Sequence, residues 1–360
     1  MFNLGQQQFF VDIYKKLSKA GLYQIIIVYE DIYNDERIDP NFKNILFLTH
    51  EEYSRIKVDL ALHSEIHCHS RFAKSRVFVG HGFPGKHTLW EKKLLLNQDH
   101  YFMYGPRDRD ILAYIEKNNP GSTNHLRLWE IGYPKYDQQS SINIEIIKYE
   151  NQIFDSQRLN ILYAPAWDPG CSLRVYRDEI FKIFSSCADY NFIVKLHPAM
   201  LVPRRNPEWQ WYTGGVEWEV FVKDKCSNLD NVHFYEEISI NSLYEVCDIM
   251  VTDFSGVALA FLINQKPVVC IDMFKHYAPY LESLGSDPQE SVNNPLFNNG
   301  REASYIVEHP RELPNQLLKI KDNDHLLQKR QGYAEYMLYN RNKSVEAMSS
   351  AIHSIIFDSQ

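Results

Sequence analysis

Three short stretches carry residue types able to do chemistry, and each directly follows an apolar run that reads as a strand. Asp248-Ile249-Met250-Val251-Thr252-Asp253-Phe254-Ser255-Gly256-Val257-Ala258-Leu259-Ala260-Phe261 reads as strand, tight turn, helix. Such a turn offers backbone N–H groups and the positive end of a helix dipole to an anion, and the hydroxyls of Thr252 and Ser255 add donors. A phosphate is the natural guest. The plain alternative is that Ser255 caps the helix and Thr252 ends a buried strand. The second stretch is His81-Gly82-Phe83-Pro84-Gly85-Lys86. Its glycines allow tight turning and close backbone approach to a ligand, His81 exchanges a proton near neutral pH, and Lys86 brings positive charge. In the third, Lys195-Leu196-His197-Pro198, the proline stops the strand and holds His197 at the rim of a sheet. Each histidine also has the plain reading of a strand-ending turn.

The elements that must position these residues alternate along the chain. Candidate strands are Tyr23–Tyr29, Ile45–Thr49, Arg76–Gly80, Tyr101–Tyr104 and Leu126–Ile131, then Leu159–Ala164, Asn191–Leu196, Val232–Tyr235, Ile249–Thr252 and Val268–Ile271. Helical patterns lie between them, including 6–20, 52–62, 108–118, 174–190, 240–246 and 256–263. That alternation predicts parallel sheets with helices on both faces. Low apolar density over 137–156 marks a boundary, so the expectation is an N-terminal Rossmann-like acceptor domain over 1–150 and a Rossmann-like nucleotide-donor domain over 151–335, with a helix over 336–360 packing back on the first. Ligands of open parallel sheets bind outside the carboxyl ends of the strands. If the halves face each other, His81, His197 and the Thr252–Gly256 turn converge on one cleft with two histidines, two lysines and an anion-binding helix end. That set suits transfer of a group attached to a pyrophosphate, because an acceptor hydroxyl needs a base and a departing nucleotide needs its charge neutralised.

Composition narrows the classes. A chain of 360 residues with 44% hydrophobic content fills two ordinary domains. A net charge of −8 argues against a general nucleic-acid binder. The six cysteines, with no CxxC pair, read as free thiols of a reducing cytoplasm. Residues 1–17 lack the cationic and apolar pattern of a standard signal, and the longest apolar run, Val257–Ile263, is far below bilayer-spanning length. His63, His67, Cys68 and His69 superficially resemble a metal cluster, but their spacing does not share one helical face, so no metal is expected there. Asp108-Arg109-Asp110 falls at a helix start, where acids favour the dipole. With no Gly-x-Gly-x-x-Gly fingerprint, no nicotinamide or flavin cofactor is expected. Pro203–Cys226, with Trp209, Trp211, Tyr212, Trp218 and Phe221, is too long for a simple loop; it either grips an acceptor or a membrane interface, or forms a helix whose aromatics pack on the domain.

Five ordered motifs then carry a specific resemblance. His81-Gly82-Phe83-Pro84-Gly85-Lys86, Gly132-Tyr133-Pro134-Lys135-Tyr136-Asp137, Leu162-Tyr163-Ala164-Pro165-Ala166-Trp167, Lys195-Leu196-His197-Pro198 and Thr252-Asp253-Phe254-Ser255-Gly256, within about residues 76–272, resemble the CDP-glycerol glycerophosphotransferase family of teichoic-acid primases and polymerases and related capsule polymerases. The resemblance implies a GT-B α/β architecture of two Rossmann-like domains facing across a cleft, with no obligatory metal. It implies transfer of a polyol phosphate from a CDP-activated donor to a hydroxyl of a lipid-linked glycan, releasing CMP, at the inner face of the bacterial cytoplasmic membrane. By position, His81 becomes the base, His197 a donor-phosphate contact, and Thr252, Asp253 and Ser255 the pyrophosphate or nucleotide cradle; Gly82, Lys86, Lys195 and Gly256 complete the expected phosphate-binding set. Two departures stand out: Gly256 occupies the place of a second serine, and Lys195-Leu196 replaces an arginine before the His-Pro pair. The competing readings are a GT-B glycosyltransferase using a nucleotide sugar and a non-catalytic GT-B partner in a synthase complex.

Overall fold

The computed structural model describes residues 7–30, 38–65, 70–83, 93–139, 142–144, 147 and 157–358. The chain divides into two compact units, one of residues 1–82, 89–141 and 335–360, the other of 83–88 and 142–334.

In the first unit, α1 (Gln7–Ala20) precedes a parallel pair, β1 (Ile27–Glu30) and β2 (Ile45–Leu48). A capping box of Thr49 and Glu52 starts a single turn of helix, α2 (His50–Ser54). Four parallel strands follow in sequence order, β3 (Val58–His63), β4 (Ala73–Phe78), β5 (His100–Met103) and β6 (Arg127–Glu130), with α3 (Pro106–Asn118) and α4 (Pro134–Gln139) after the last two. The expected helix over 52–62 is largely wrong. Tyr53, Ile56 and Leu60 fit a helical period, but from Val58 onward the chain alternates and its burial alternates with it, the mark of a strand. Arg76 fixes the start of the sheet: its guanidinium and backbone N–H all donate to Asp99, with three contacts of 2.9 Å.

The second unit is one six-stranded parallel sheet. Its strands are β7 (Leu159–Tyr163), β8 (Tyr190–Val194), β9 (Val232–Phe234), β10 (Ile249–Thr252), β11 (Val268–Ile271) and β12 (Tyr305–Val307), in the order β12-β11-β10-β7-β8-β9. Counted within the unit this is 3-2-1-4-5-6 read from the other edge, the order of dinucleotide-binding folds, with the topological switch between β7 and β10. β8, β10 and β11 are buried at every residue, as strands covered on both faces must be. β12 has only three residues and carries too little pattern to be read from sequence. The single helix expected over 174–190 is two, α5 (Ser172–Tyr176) and α6 (Asp178–Ser186), broken where Arg177 takes φ +42°. The tryptophan-rich segment forms α7 (Trp209–Thr213) and α8 (Trp218–Cys226); Trp218 is buried and its indole N–H donates to Thr213 O at 2.8 Å, whereas Trp211 is 53% exposed. α9 (Ile240–Val246), α10 (Val257–Leu262), α11 (Phe274–Ser283), α12 (Pro288–Asn293) and α13 (Leu313–Asp322) complete the unit.

After α14 (Leu327–Met337) the chain returns to the first unit and ends in α15 (Ser344–Phe357). A strap over 339–345 crosses the carboxyl ends of β5 and β6. Tyr339 N–H donates to Tyr104 O (2.7 Å), Asn340 Nδ2 to Glu130 O (2.6 Å), and Ser344 Oγ and Val345 N–H to the Asp137 carboxylate (3.0 and 2.9 Å). The turn entering β6 hangs on one carboxylate: Glu116 accepts from Gly121 N–H, Thr123 N–H and Oγ1, and Asn124 N–H and Nδ2. Those backbone donors hold its carboxyl down at about 2. A carboxyl depressed in the folded state stabilises above its unfolded value and loses that contribution as pH falls through the folded one. Glu116→Gln is therefore expected to lower the melting temperature at neutral pH, with the difference from wild type shrinking below about pH 4.5 and vanishing only below about pH 2, as read by thermal denaturation across that range.

Candidate active site

The switch point of the second unit is built on a buried carboxylate. Asp253, 1% exposed, accepts from Ala166 N–H (2.7 Å), Ser172 N–H (2.7 Å) and Ser172 Oγ (2.7 Å). Thr252, fully buried, donates its hydroxyl to Ala164 O at 2.6 Å. These bonds clamp the loop after β7 to the turn after β10. Burial pushes the Asp253 carboxyl up, against the pull of its donors. Both side chains are turned inward, so what Thr252 and Asp253 offer a phosphate is the shape of the turn and not a direct contact. Phe254 stacks on Tyr277 with ring centroids 5.0 Å apart, which fixes the next residue. Ser255 is the hydroxyl left over: its side chain makes no hydrogen bond among the described residues. The helix cap is Gly256 and not Ser255. A Cβ at Gly256 would stand 3.0 Å from the Phe83 carbonyl oxygen, which accounts for glycine where the resemblance expects a second serine.

His197 follows β8, the neighbour of β7, so its rim position lies about 10 Å from the β10 turn, two strand spacings away. Its Nδ1 accepts from Ala199 N–H at 3.1 Å and caps the 3-10 turn Pro198–Leu201. A nitrogen that accepts from an N–H carries no proton, so the neutral ring holds its hydrogen on Nε2 and is a donor there. The Trp167 ring stands 6.4 Å from His197 and 5.2 Å from Tyr212. His309, ahead of Pro310, caps the turn after β12 in the same way, accepting from Arg311 N–H at 3.2 Å. The His-Pro cap is therefore a general device of this sheet, and its place beside the switch point is what separates His197 from His309. Lys195 donates its ammonium to the Glu236 and Tyr235 carbonyls beyond β9, and burial pushes that ammonium down.

His81 belongs to the first unit, at the carboxyl end of β4. Gly80 takes φ +69° to turn the chain there, under the Tyr104 hydroxyl that donates to Val79 O at 2.8 Å. His81 Nδ1 lies 3.0 Å from Ser64 O and 3.6 Å from the Glu65 carboxylate. Both neighbours only accept, so Nδ1 is the protonated nitrogen and Nε2 of the neutral ring keeps its lone pair. The two histidines thus have opposite tautomers, an acceptor at His81 Nε2 and a donor at His197 Nε2. Gly82 faces open space. Lys86, and His67, Cys68 and His69, lie outside the described residues. His63 is buried between Gln98 Oε1 (2.8 Å) and Ser70 Oγ (3.1 Å), a core histidine. Sequence reasoning missed Glu65, because the strand it follows was read as helix, and missed the 166–172 loop as the partner of Asp253.

Residues 114–278 match the model of a protein family described as CDP-Glycerol:Poly(glycerophosphate) glycerophosphotransferase. Over that segment the chain is similar to this family. Among solved structures, a His-to-Asn variant of the wall teichoic acid polymerase TagF matches with a TM-score of 0.62 at 15% identity, over 97% of this chain and 85% of that one. TagF soaked with CDPG matches at 0.58 and 15% identity, over the same shares of the two chains. S. aureus MnaA with UDP matches at 0.58 and 11% identity, over 99% of this chain and 95% of that one. At these identities the likeness shows the fold, α/β with parallel sheets of GT-B-like type. Among curated protein sequences none matches.

Two substitutions separate what holds the turn from what it displays. Asp253→Asn removes an acceptor from buried donors and is expected to cost about 1–3 kcal/mol of unfolding free energy, measured by denaturant titration. His197→Asn keeps a side-chain acceptor for the Ala199 N–H, as cap residues do, but loses the Nε2–H. It is expected to hold the wild-type melting temperature while turnover falls by about 10²–10³, the effect of removing one donor from developing charge.

Proposed function

We propose that this chain transfers glycerol phosphate, or another polyol phosphate, from a CDP-activated donor to a hydroxyl of a lipid-linked glycan in teichoic-acid-like or capsule polysaccharide synthesis. In this reading His81 Nε2 takes the proton of the acceptor hydroxyl as its oxygen attacks the distal phosphorus of the donor. The new O–P bond forms as the bond from that phosphorus to the bridging oxygen breaks, and CMP leaves with the bonding electrons. The His197 Nε2–H and the Ser255 hydroxyl meet the charge that grows on the phosphates, while Thr252 and Asp253 hold the turn in shape. Ser64 O and Glu65 stand at the far nitrogen of His81, where they support the imidazolium once it forms.

The observation that carries the reading is the opposition of tautomers at His81 and His197, which supplies a proton acceptor and a hydrogen-bond donor to a phosphate from two residues of one type. The family match over 114–278 supports a CDP-glycerol donor and a poly(glycerophosphate) acceptor. No helix among the described residues is long and apolar enough to cross a membrane. A lipid-linked acceptor therefore brings the protein to the inner face of the bacterial cytoplasmic membrane as a peripheral contact in this reading. The likeness to MnaA with UDP favours the second reading, a transferase of sugar from a nucleotide sugar.

Purified protein incubated with CDP-glycerol and an oligo(glycerol phosphate) acceptor is expected to release CMP and lengthen the acceptor. His81→Gln is expected to lower kcat/KM by about 10²–10⁴, the usual worth of a general base. Absence of CMP release, together with release of a nucleoside diphosphate from a nucleotide sugar, would overturn the proposal in favour of the second reading.

A further inference from the structure

The motif Gly132-Tyr133-Pro134-Lys135-Tyr136-Asp137 lies outside the His81, His197 and Ser255 set. It follows β6, and the sheet order β4-β5-β6 places it beyond the same edge as His81, separated from it by one strand. This is the edge at which open parallel sheets bind ligands.

Three lysines among the described residues have an ammonium pushed down by burial: Lys135, Lys195 and Lys266. Lys195 donates to the Glu236 carbonyl, and Lys266 to the carbonyls of Tyr244, Glu245 and Cys247 at 2.7–2.9 Å. Lys135 is half-buried, its ammonium brought down to about 8, and it has no hydrogen-bond acceptor or carboxylate partner among the described residues. The carboxylates of its neighbourhood are engaged elsewhere. Asp137 serves Ser344 and Val345, Glu130 pairs with Arg109 at 3.0 Å, and Glu346 with Lys16 at 2.9 Å.

A second cation lies on the strap that crosses this edge. Asn340 binds the Glu130 and Ile131 carbonyls, and Ser344 and Val345 bind Asp137, so Arg341 is bracketed against the 130–137 segment. Arg341 Nη2 is buried without a hydrogen-bond partner among the described residues, and no carboxylate pairs with the side chain. A buried guanidinium nitrogen and a half-buried ammonium, both left without partners among the described residues, are matched by an acceptor from outside the protein. The acceptor that matches two such donors is an anion with several oxygens, and a phosphodiester fits.

We propose that Lys135 and Arg341 form an anion subsite that grips a phosphodiester of the growing acceptor chain and so presents its terminal hydroxyl to His81. This inference rests on the proposed function, because it takes the acceptor to be a glycerol-phosphate polymer. It makes the first unit the reader of the acceptor, through charges that lie on the motif after β6 and on the C-terminal strap.

The test has two arms. In the first, acetylation of Lys135 in the wild-type protein by acetic anhydride is followed by mass spectrometry with and without oligo(glycerol phosphate), with neutral oligo-glycerol as control. Protection by the phosphate polymer alone is expected. In the second, Lys135→Met and Arg341→Met are each expected to raise KM for the acceptor about tenfold or more, the worth of a charge-assisted hydrogen bond, with KM for CDP-glycerol unchanged. Lys135→Arg is expected to recover most of the acceptor affinity. Unprotected Lys135, together with an acceptor KM within about twofold of wild type in the double variant, overturns the subsite while CMP release by the wild type leaves the proposed function standing. Should the wild type release no CMP, the protection arm still decides the subsite by itself.

Discussion

A single carboxylate holds the second unit in the form its chemistry requires. Asp253 sits at the end of β10 and draws three donors from the loop after β7 into one buried point, closing the switch of the sheet from both sides. The contact is intolerant of change because it is dry: the same burial that makes unpaired donors costly makes the paired arrangement unique. Everything displayed at that rim inherits its position from this knot. Ser255 is two residues downstream of Asp253, Trp167 is one residue past Ala166, and His197 follows the strand next to β7. The side chains that face outward are placed by side chains that face in.

That division explains why some elements are legible in the sequence and others are not. Strands covered on both faces, β8, β10 and β11, announce themselves as short apolar runs, and α9 is marked by its apolar spacing after Ser239, which caps it. β3 alternates over six residues directly after a short capped helix, and two overlapping periods in one stretch favour the wrong one. The partners of Asp253 lie 81 and 87 residues away, and the carbonyl that sets the tautomer of His81 lies 17 residues away. No local pattern encodes such distances. The cap by His197 is the exception, since its partner is two residues on, and a histidine followed by proline with an N–H just beyond carries the signal.

The histidine pair shows how one residue type is made to play two parts. The ring itself is indifferent; a carbonyl at Nδ1 makes Nε2 a base, and an N–H at Nδ1 makes Nε2 a donor. Both settings are made by main-chain atoms, which no substitution at the histidine changes.

The strap over 339–345 also bears on the order in which the protein is made. The first unit draws on residues from both sides of the second, and its residues 335–358 pass over strand ends laid down some two hundred positions earlier, as the contacts of Asn340 with Glu130 and of Ser344 with Asp137 record. During synthesis the continuous stretch 142–334 is available to fold while the first unit still lacks its closing piece. The half that carries His81 is therefore closed after the other, once residues 335–358 have been made.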